Sequence, residues 1–217
     1  MTFNELTREA ARLANTAVAG AMSDMAGRHT YDEDDVTPGL VGRLHSTFEN
    51  ANLEGIQVKA TVLRHRKGRA AEEKKFGADL LVHVSLDTDT QSYSKGVLIQ
   101  SKKLEREDYW SSTWRNKLIN DCETMLKTTC ASFVFSYSER GMRCGAATRV
   151  SGALAKAPVS LRYLCGWTSY RFFLELFRCP IGDPNITSAR VDELPVPLAL
   201  ALGFKGHLDL DKEASTY

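Results

Sequence analysis

The sequence predicts an α/β fold in which a central mixed β-sheet is flanked by helices. Residues 2–26 repeat apolar side chains at helical spacing, as in an amphipathic helix. Residues 56–62 and 80–86 instead alternate in period two, which is typical of strands with a buried face. Helical spacing returns over residues 113–127, and residues 131–147 suggest another short pair of strands. The predicted order is therefore helix, helix, three strands, helix, strands.

Two helices are predicted before the first strand. Thr2 and Glu5 match the capping box that opens a helix, and this helix is expected to end near residue 26. Thr37 and Pro38 match the N-cap and the first residue of a second helix, which is expected to reach about residue 52. The third strand, residues 96–103, should pair with residues 80–86 as a hairpin.

No repeat, low-complexity stretch or clean linker divides the chain, so residues 1–217 are predicted to form a single domain. Near its C-terminal end, residues 167–177 predict an aromatic-rich helix and residues 194–202 predict a short helix started by a proline. The predicted parts are an N-terminal helix (residues 2–27), a core (about residues 37–150) and a C-terminal helical extension (residues 151–217).

Composition narrows the classes of protein to consider. A hydrophobic share of 43% with 25% charged residues is ordinary for a globular protein. The net charge of +1 provides no overall basic field, so any nucleic-acid surface must be local. The longest apolar run, residues 196–204, is far shorter than the ~20 residues that cross a bilayer. The five cysteines form no CxxC pair, which argues against a zinc site or a disulfide framework and favours a cytoplasmic protein.

Three polar residues of the predicted hairpin point to chemistry. Gln100 and Lys102 project to the same side of their strand because side chains alternate between faces. Asp79 lies at the start of the preceding strand. It points away from the apolar row of that strand and shares a face with His83. In an antiparallel hairpin the start of one strand lies against the end of the next, so we expect Asp79 to meet Gln100 and Lys102.

This trio suits hydrolysis of a phosphodiester bond. A divalent ion, Mg²⁺ or Mn²⁺, polarises the phosphate and activates a water molecule, and it prefers oxygen ligands. Asp79 and Gln100 supply such oxygens as metal ligands. Lys102 is suited to position or deprotonate the water and to neutralise charge that develops on the phosphate.

Gly-Ala-Asp at residues 77–79, followed by a hairpin and by Val-Leu-Ile-Gln-Ser-Lys at residues 97–102, resembles the PD-(D/E)XK nuclease superfamily. The Gln-x-Lys form is similar to that of Mrr-like restriction enzymes, and the resemblance covers roughly residues 37–137. It implies a restriction-endonuclease-like core and an Mg²⁺-dependent endonuclease that hydrolyses DNA. It also implies an acidic residue from the first core helix, which would be Glu49, and Glu73 is the alternative.

The resemblance further suggests bacterial restriction or phage defence, with the chain acting as a homodimer or as a subunit of a defence complex. Gln100 stands where most members have Asp or Glu, which removes one negative charge from the ligands of the ion. DNA is the expected substrate in preference to RNA. An alternative is a catalytically inactive nuclease fold that binds nucleic acid or a partner protein.

Other interpretations of these residues stay open at the level of sequence. A Gln-x-Lys pattern also occurs on strands that face solvent. A basic cluster could track phosphates at the mouth of the site or simply form an exposed loop. The candidate nucleic-acid-binding residues in this cluster are Arg64, Arg66, Lys67 and Arg69.

Overall fold

The sheet and helices that surround the candidate site are seen in a computed structural model, which describes residues 1–27, 33–64, 76–104 and 111–209. Within these residues one sheet contains seven strands. They are β1 (Ile56–Arg64), β2 (Leu80–Thr88), β3 (Ser92–Lys103), β4 (Ser132–Ser138), β5 (Gly141–Ala146), β6 (Trp167–Thr168) and β7 (Leu198–Gly206). The helices are α1 (Phe3–Ala26), α2 (Glu33–Glu49), α3 (Ser112–Thr128), α4 (Ala147–Lys156), α5 (Leu161–Leu164), α6 (Ser169–Phe177) and α7 (Ser188–Val191).

The strands lie in the order β1-β7-β2-β3-β4-β5-β6. The pairs β7/β2 and β3/β4 are parallel, and the other neighbouring pairs are antiparallel. The sheet is therefore mixed, and the predicted α/β class with flanking helices is confirmed. The parallel pair β3/β4 is joined through α3, as a crossover between parallel strands requires.

Two apolar layers cover the two faces of the sheet. On one face, α1, α2 and α6 pack on a layer that includes Leu80, Val82 and Ile99. On the other face, α3, α4, α5 and α7 pack on a layer that includes Leu81 and Leu98. Because neighbouring strand residues point in opposite directions, Asp79, Gln100 and Lys102 belong to the α3 face.

The first helix forms as predicted. The Thr2 backbone N–H donates to the Glu5 carboxylate at 2.9 Å, and the Glu5 N–H donates to the Thr2 hydroxyl at 3.2 Å. This reciprocal pair satisfies two of the otherwise unpaired N–H groups at the helix start. None of the helices within the described ranges is both long and apolar enough to cross a membrane.

The prediction for the start of the second helix is wrong. Helix α2 begins at Glu33, so Pro38 lies inside it, and it ends at Glu49 instead of near residue 52. Val36 and Thr37 are buried in the first part of the helix. Their burial offsets the backbone hydrogen bond that Pro38 cannot donate.

The prediction of a helix over residues 194–202 is also wrong. Most of this run belongs to β7, which lies between β1 and β2 with apolar layers on both faces. A strand buried on both faces reads as a continuous apolar run, which sequence spacing alone does not separate from a buried helix. The C-terminal part of the chain is thus not a purely helical extension, because it supplies an interior strand of the sheet.

His83 is buried on the α3 face, and its Nε2 lies 2.9 Å from the Ser94 hydroxyl. Burial lowers the pKa of His83 from 6.5 to about 4. Between pH 4 and pH 6.5, His83 is therefore protonated in the unfolded chain and neutral in the folded chain. The histidine is satisfied by its neighbour and lies four residues along the strand from Asp79.

We expect His83 to make the fold sensitive to acid. As the pH falls from 6.5 to 4, the free energy of unfolding should drop by about 3 kcal/mol through this group. Urea unfolding of wild type and His83→Gln at several pH values measures the difference. Parallel pH profiles for the two proteins would contradict the assignment.

Candidate active site

The hairpin of β2 and β3 brings Asp79 against Gln100. Leu80 pairs with Ile99, and the Asp79 N–H donates to the Ile99 carbonyl at 2.9 Å. The Asp79 Oδ2 accepts the Gln100 side-chain N–H at 2.6 Å and the Ser101 backbone N–H at 2.8 Å. Hydrogen bonds to an ionised carboxylate are stronger than neutral ones, so this contact fixes the carboxylate at the end of the hairpin.

The two candidate site residues on β3, Gln100 and Lys102, are buried and do not face open solvent. Gln100 and Lys102 are each only 4% exposed. Buried polar groups are costly unless they are hydrogen-bonded, and Gln100 meets this need through Asp79 and through the Ser101 carbonyl at 3.3 Å. The interpretation of the Gln-x-Lys pattern as a solvent-facing strand therefore does not apply.

Lys102 lies against α3, whose Asp121 and Cys122 are buried. Burial raises the pKa of the Cys122 thiol to about 12, the charge of Asp121 adds to this shift, and the positive charge of Lys102 opposes it. Lys102 and Asp121 therefore both lie close enough to Cys122, on the side of α3 that faces the sheet, to affect the pKa of its thiol. Sequence reasoning did not single out Asp121, although it adjoins the apolar stripe of the helix.

A hydrogen-bonded chain behind the site holds β3 from the opposite face. The Ser101 hydroxyl lies 3.1 Å from the Tyr137 hydroxyl, which lies 3.3 Å from the Thr37 hydroxyl. Burial raises the pKa of Tyr137, and the charge of Asp79 raises it further, so the phenol stays neutral. These three hydroxyl groups link α2, β3 and β4 through Ser101, whose backbone N–H donates to Asp79. This link was not foreseen from the sequence, because it joins residues 100 positions apart.

Glu49 is not brought to Asp79. Its Oε1 accepts the backbone N–H of Ala60 at 2.8 Å, on the open edge of β1. Ala60 lies level with Leu202 and Val84, which is five residues beyond Asp79 along the strands, or about 16 Å. In this position the carboxylate caps an unpaired group of an edge strand.

We expect Glu49→Ala to act on stability. Loss of the bond to the Ala60 N–H should lower the free energy of unfolding by about 1 kcal/mol. Glu49→Gln keeps an acceptor oxygen and should retain most of that stability. Urea unfolding compares the three proteins. An alanine variant as stable as wild type would contradict the edge-capping role.

Of the predicted basic cluster, Arg64 is the last residue of β1 and is exposed. It pairs with Leu198, which pairs with Leu80, so Arg64 lies at the same end of the sheet as Asp79 and two strands away. The other predicted residues, Arg66, Lys67, Arg69 and Glu73, lie outside the described residues.

Asp79 and Gln100 are the residues that would hold a hard cation at this site. Mg²⁺ usually keeps several waters and takes one or two carboxylates together with phosphate oxygens. Asp79 offers one carboxylate, and Gln100 offers a neutral amide oxygen or its backbone carbonyl. Within the described part of the chain, no group of three or more His, Cys, Asp or Glu residues is arranged to hold a metal ion. Among the described residues, Asp79 and Gln100 alone do not form a closed protein cage for an ion.

No protein family, curated protein or solved structure with which the chain was compared matches it.

Proposed function

We propose that the chain is a metal-dependent nuclease with a restriction-endonuclease-like core, and that it hydrolyses phosphodiester bonds in DNA at the Asp79, Gln100 and Lys102 site. The observation that carries this proposal is the convergence of a hydrogen-bonded Asp79–Gln100 pair with a buried lysine two residues further along the same strand face. A buried lysine is costly to maintain, and sites that keep such groups are often functional.

Each residue has a separate task in the proposed reaction. Asp79 and Gln100 would hold Mg²⁺ or Mn²⁺, and that ion, when bound, would polarise the phosphate and make a water molecule more acidic. Lys102 holds its ammonium group beside the scissile phosphate, where it orients the water and neutralises charge on the phosphoryl oxygens. The Ser101 N–H keeps the Asp79 carboxylate in a fixed orientation before substrate arrives.

The arrangement of the strands supports the same proposal. β2 and β3 form an antiparallel hairpin, and β4 lies parallel to β3 after a helical crossover. This is the order that the PD-(D/E)XK resemblance implies for the core. The insertion of β7 between β1 and β2 is an addition to that order.

The test is cleavage of plasmid DNA by wild type and Asp79→Ala in Mg²⁺, in Mn²⁺ and in EDTA. We expect cleavage by wild type with either metal, none in EDTA, and a loss of at least a hundredfold in the variant because the carboxylate ligand is gone. Ser85→Ala is the matched control, because Ser85 lies on the same strand, six residues from Asp79. Equal metal-dependent cutting by wild type and Asp79→Ala would overturn the proposal.

One observation favours a second candidate function. The Gln100 amide nitrogen donates to Asp79 at 2.6 Å, so the carboxylate already has a neutral partner without a cation. A glutamate at this position would instead repel Asp79 and favour an ion between them. This pairing is what a catalytically inactive nuclease fold that binds nucleic acid would retain. Such a protein would bind DNA equally in Mg²⁺ and in EDTA and would cut it in neither.

A further inference from the structure

The basic residues of the chain are unevenly distributed. Residues 140–171 contain six Arg or Lys residues and no Asp or Glu, whereas the other 185 residues contain 22 basic and 27 acidic residues. All six basic side chains of this segment are exposed. They are Arg140, Arg143, Arg149, Lys156, Arg162 and Arg171. In a protein whose net charge is only +1, this segment therefore has an excess of positive charge.

The fold gathers much of this segment around the β6 edge of the sheet. Arg143 on β5 pairs with Thr168 on β6. The Arg149 guanidinium donates to the Tyr163 carbonyl at 3.2 Å, so α4 and α5 present their arginines together. On the other side of β6, Arg171 lies 5.3 Å from the centre of the Trp167 ring. We call the surface formed by these residues the β6-edge surface.

Tyr163 gives this surface an aromatic platform. Its side chain is 75% exposed, and it is flanked by Arg162. Leu161 and Leu164, on the same short helix, are buried and hold Tyr163 outward. An exposed aromatic side chain that is fixed by its neighbours and surrounded by arginines is suited to stack on a base.

We infer that the β6-edge surface binds nucleic acid with unpaired bases. Exposed, clustered cations bind a phosphate backbone, and an outward aromatic ring favours a single strand because its bases are free to stack. A membrane-binding surface would instead present a larger apolar area beside its positive charge. The exposed rings of this surface belong to tyrosines, and α5 is only four residues long.

The surface also lies within reach of the candidate active site. β6 is three strands from β3, a distance of about 14 Å across the sheet. Arg140, in the turn between β4 and β5, lies at the end of the sheet where Lys103 pairs with Tyr137. A strand bound at the β6 edge would therefore pass toward Lys102. This last step rests on the proposed function, whereas binding at the β6 edge does not.

The test is fluorescence anisotropy of labelled 20-nucleotide single-stranded and duplex DNA in EDTA, which separates binding from any cleavage. We expect tighter binding of the single strand. Arg143→Ala combined with Arg149→Ala should weaken it at least tenfold and reduce the slope of log affinity against log salt by about 1.4, or ~0.7 per lost phosphate contact. Tyr163→Ala should weaken it at least fivefold, while Tyr163→Phe should bind like wild type.

Controls separate this inference from the proposed nuclease activity and from a loss of folding. Lys59→Ala removes an exposed charge from β1, at the opposite edge of the sheet, and should change affinity less than twofold. EDTA removes the divalent ion that the proposed cleavage requires, so the affinities measured in this assay report binding alone. Circular dichroism checks the fold, and Arg143→Ala alone provides a milder variant.

Two results would overturn the inference. One is that wild type binds neither oligonucleotide. If the protein then binds vesicles of anionic phospholipid in a parallel assay, the surface is assigned to membranes instead. The other is weakening by Lys59→Ala as large as that by the arginine variants, which would show that binding follows overall charge and not this surface.

Discussion

Lys102→Met is expected to lower metal-dependent DNA cleavage by at least about a hundredfold. Lys102 is the one residue of the proposed site that can neutralise charge on the phosphoryl oxygens while it also orients the water. Methionine keeps an unbranched apolar chain of similar length, so the packing of the lysine stem against α3 is largely preserved. The expected loss is therefore in the chemical step and not in folding.

The measurement is single-turnover cleavage of labelled DNA at saturating Mg²⁺, compared with Lys103→Met. Lys103 is the next residue of β3 and points to the other face, so its loss should leave the single-turnover rate nearly unchanged. A Lys102→Met protein that is folded and cuts as fast as wild type would remove the lysine from the mechanism.

Gly77→Ala is expected to destabilise the protein by about 2–4 kcal/mol. Gly77 has a φ of +73°, a conformation that alanine adopts only at a cost. A Cβ at this position would also collide with the backbone carbonyl of Asp121 in α3. Relief of that collision requires a shift of the helix, because a backbone atom does not rotate away as a side chain does.

The same collision should disturb the site, because Gly77 is two residues before Asp79. Urea unfolding and near-ultraviolet circular dichroism measure the effect. Gly152→Ala is the matched control, since a Cβ added there in α4 meets nothing within 4 Å. It should leave stability unchanged or raise it by up to about 1 kcal/mol. A Gly77→Ala protein as stable as wild type would show that α3 is not packed this closely on the chain leading into β2.

The sequence was sufficient to predict the hairpin and the contact between Asp79 and Gln100. Strand alternation fixes which side chains share a face, and a short connection fixes the register of the two strands. Both are local properties. The buried state of Lys102 was not predictable in the same way, since it depends on α3 packing over the strand.

Glu49 illustrates what local patterns cannot supply. Its expected role came from the resemblance, in which an acidic residue of the first core helix completes the site. In the structure β7 lies between β1 and β2, so β1 forms the edge of the sheet, and Glu49 is hydrogen-bonded there to Ala60. The pairing of β7 joins residues more than 100 positions apart, and its apolar run predicted a helix as readily as a strand.

The most direct test of the proposed site is calorimetric titration of Mn²⁺ into wild type, Asp79→Ala and Gln100→Glu, with an uncleavable DNA analogue bound. The account predicts one ion site in wild type, loss of that site in Asp79→Ala, and at least tenfold tighter binding in Gln100→Glu, because a second carboxylate is added beside Asp79. Identical titrations for wild type and Asp79→Ala, or no tighter binding in Gln100→Glu, would contradict it.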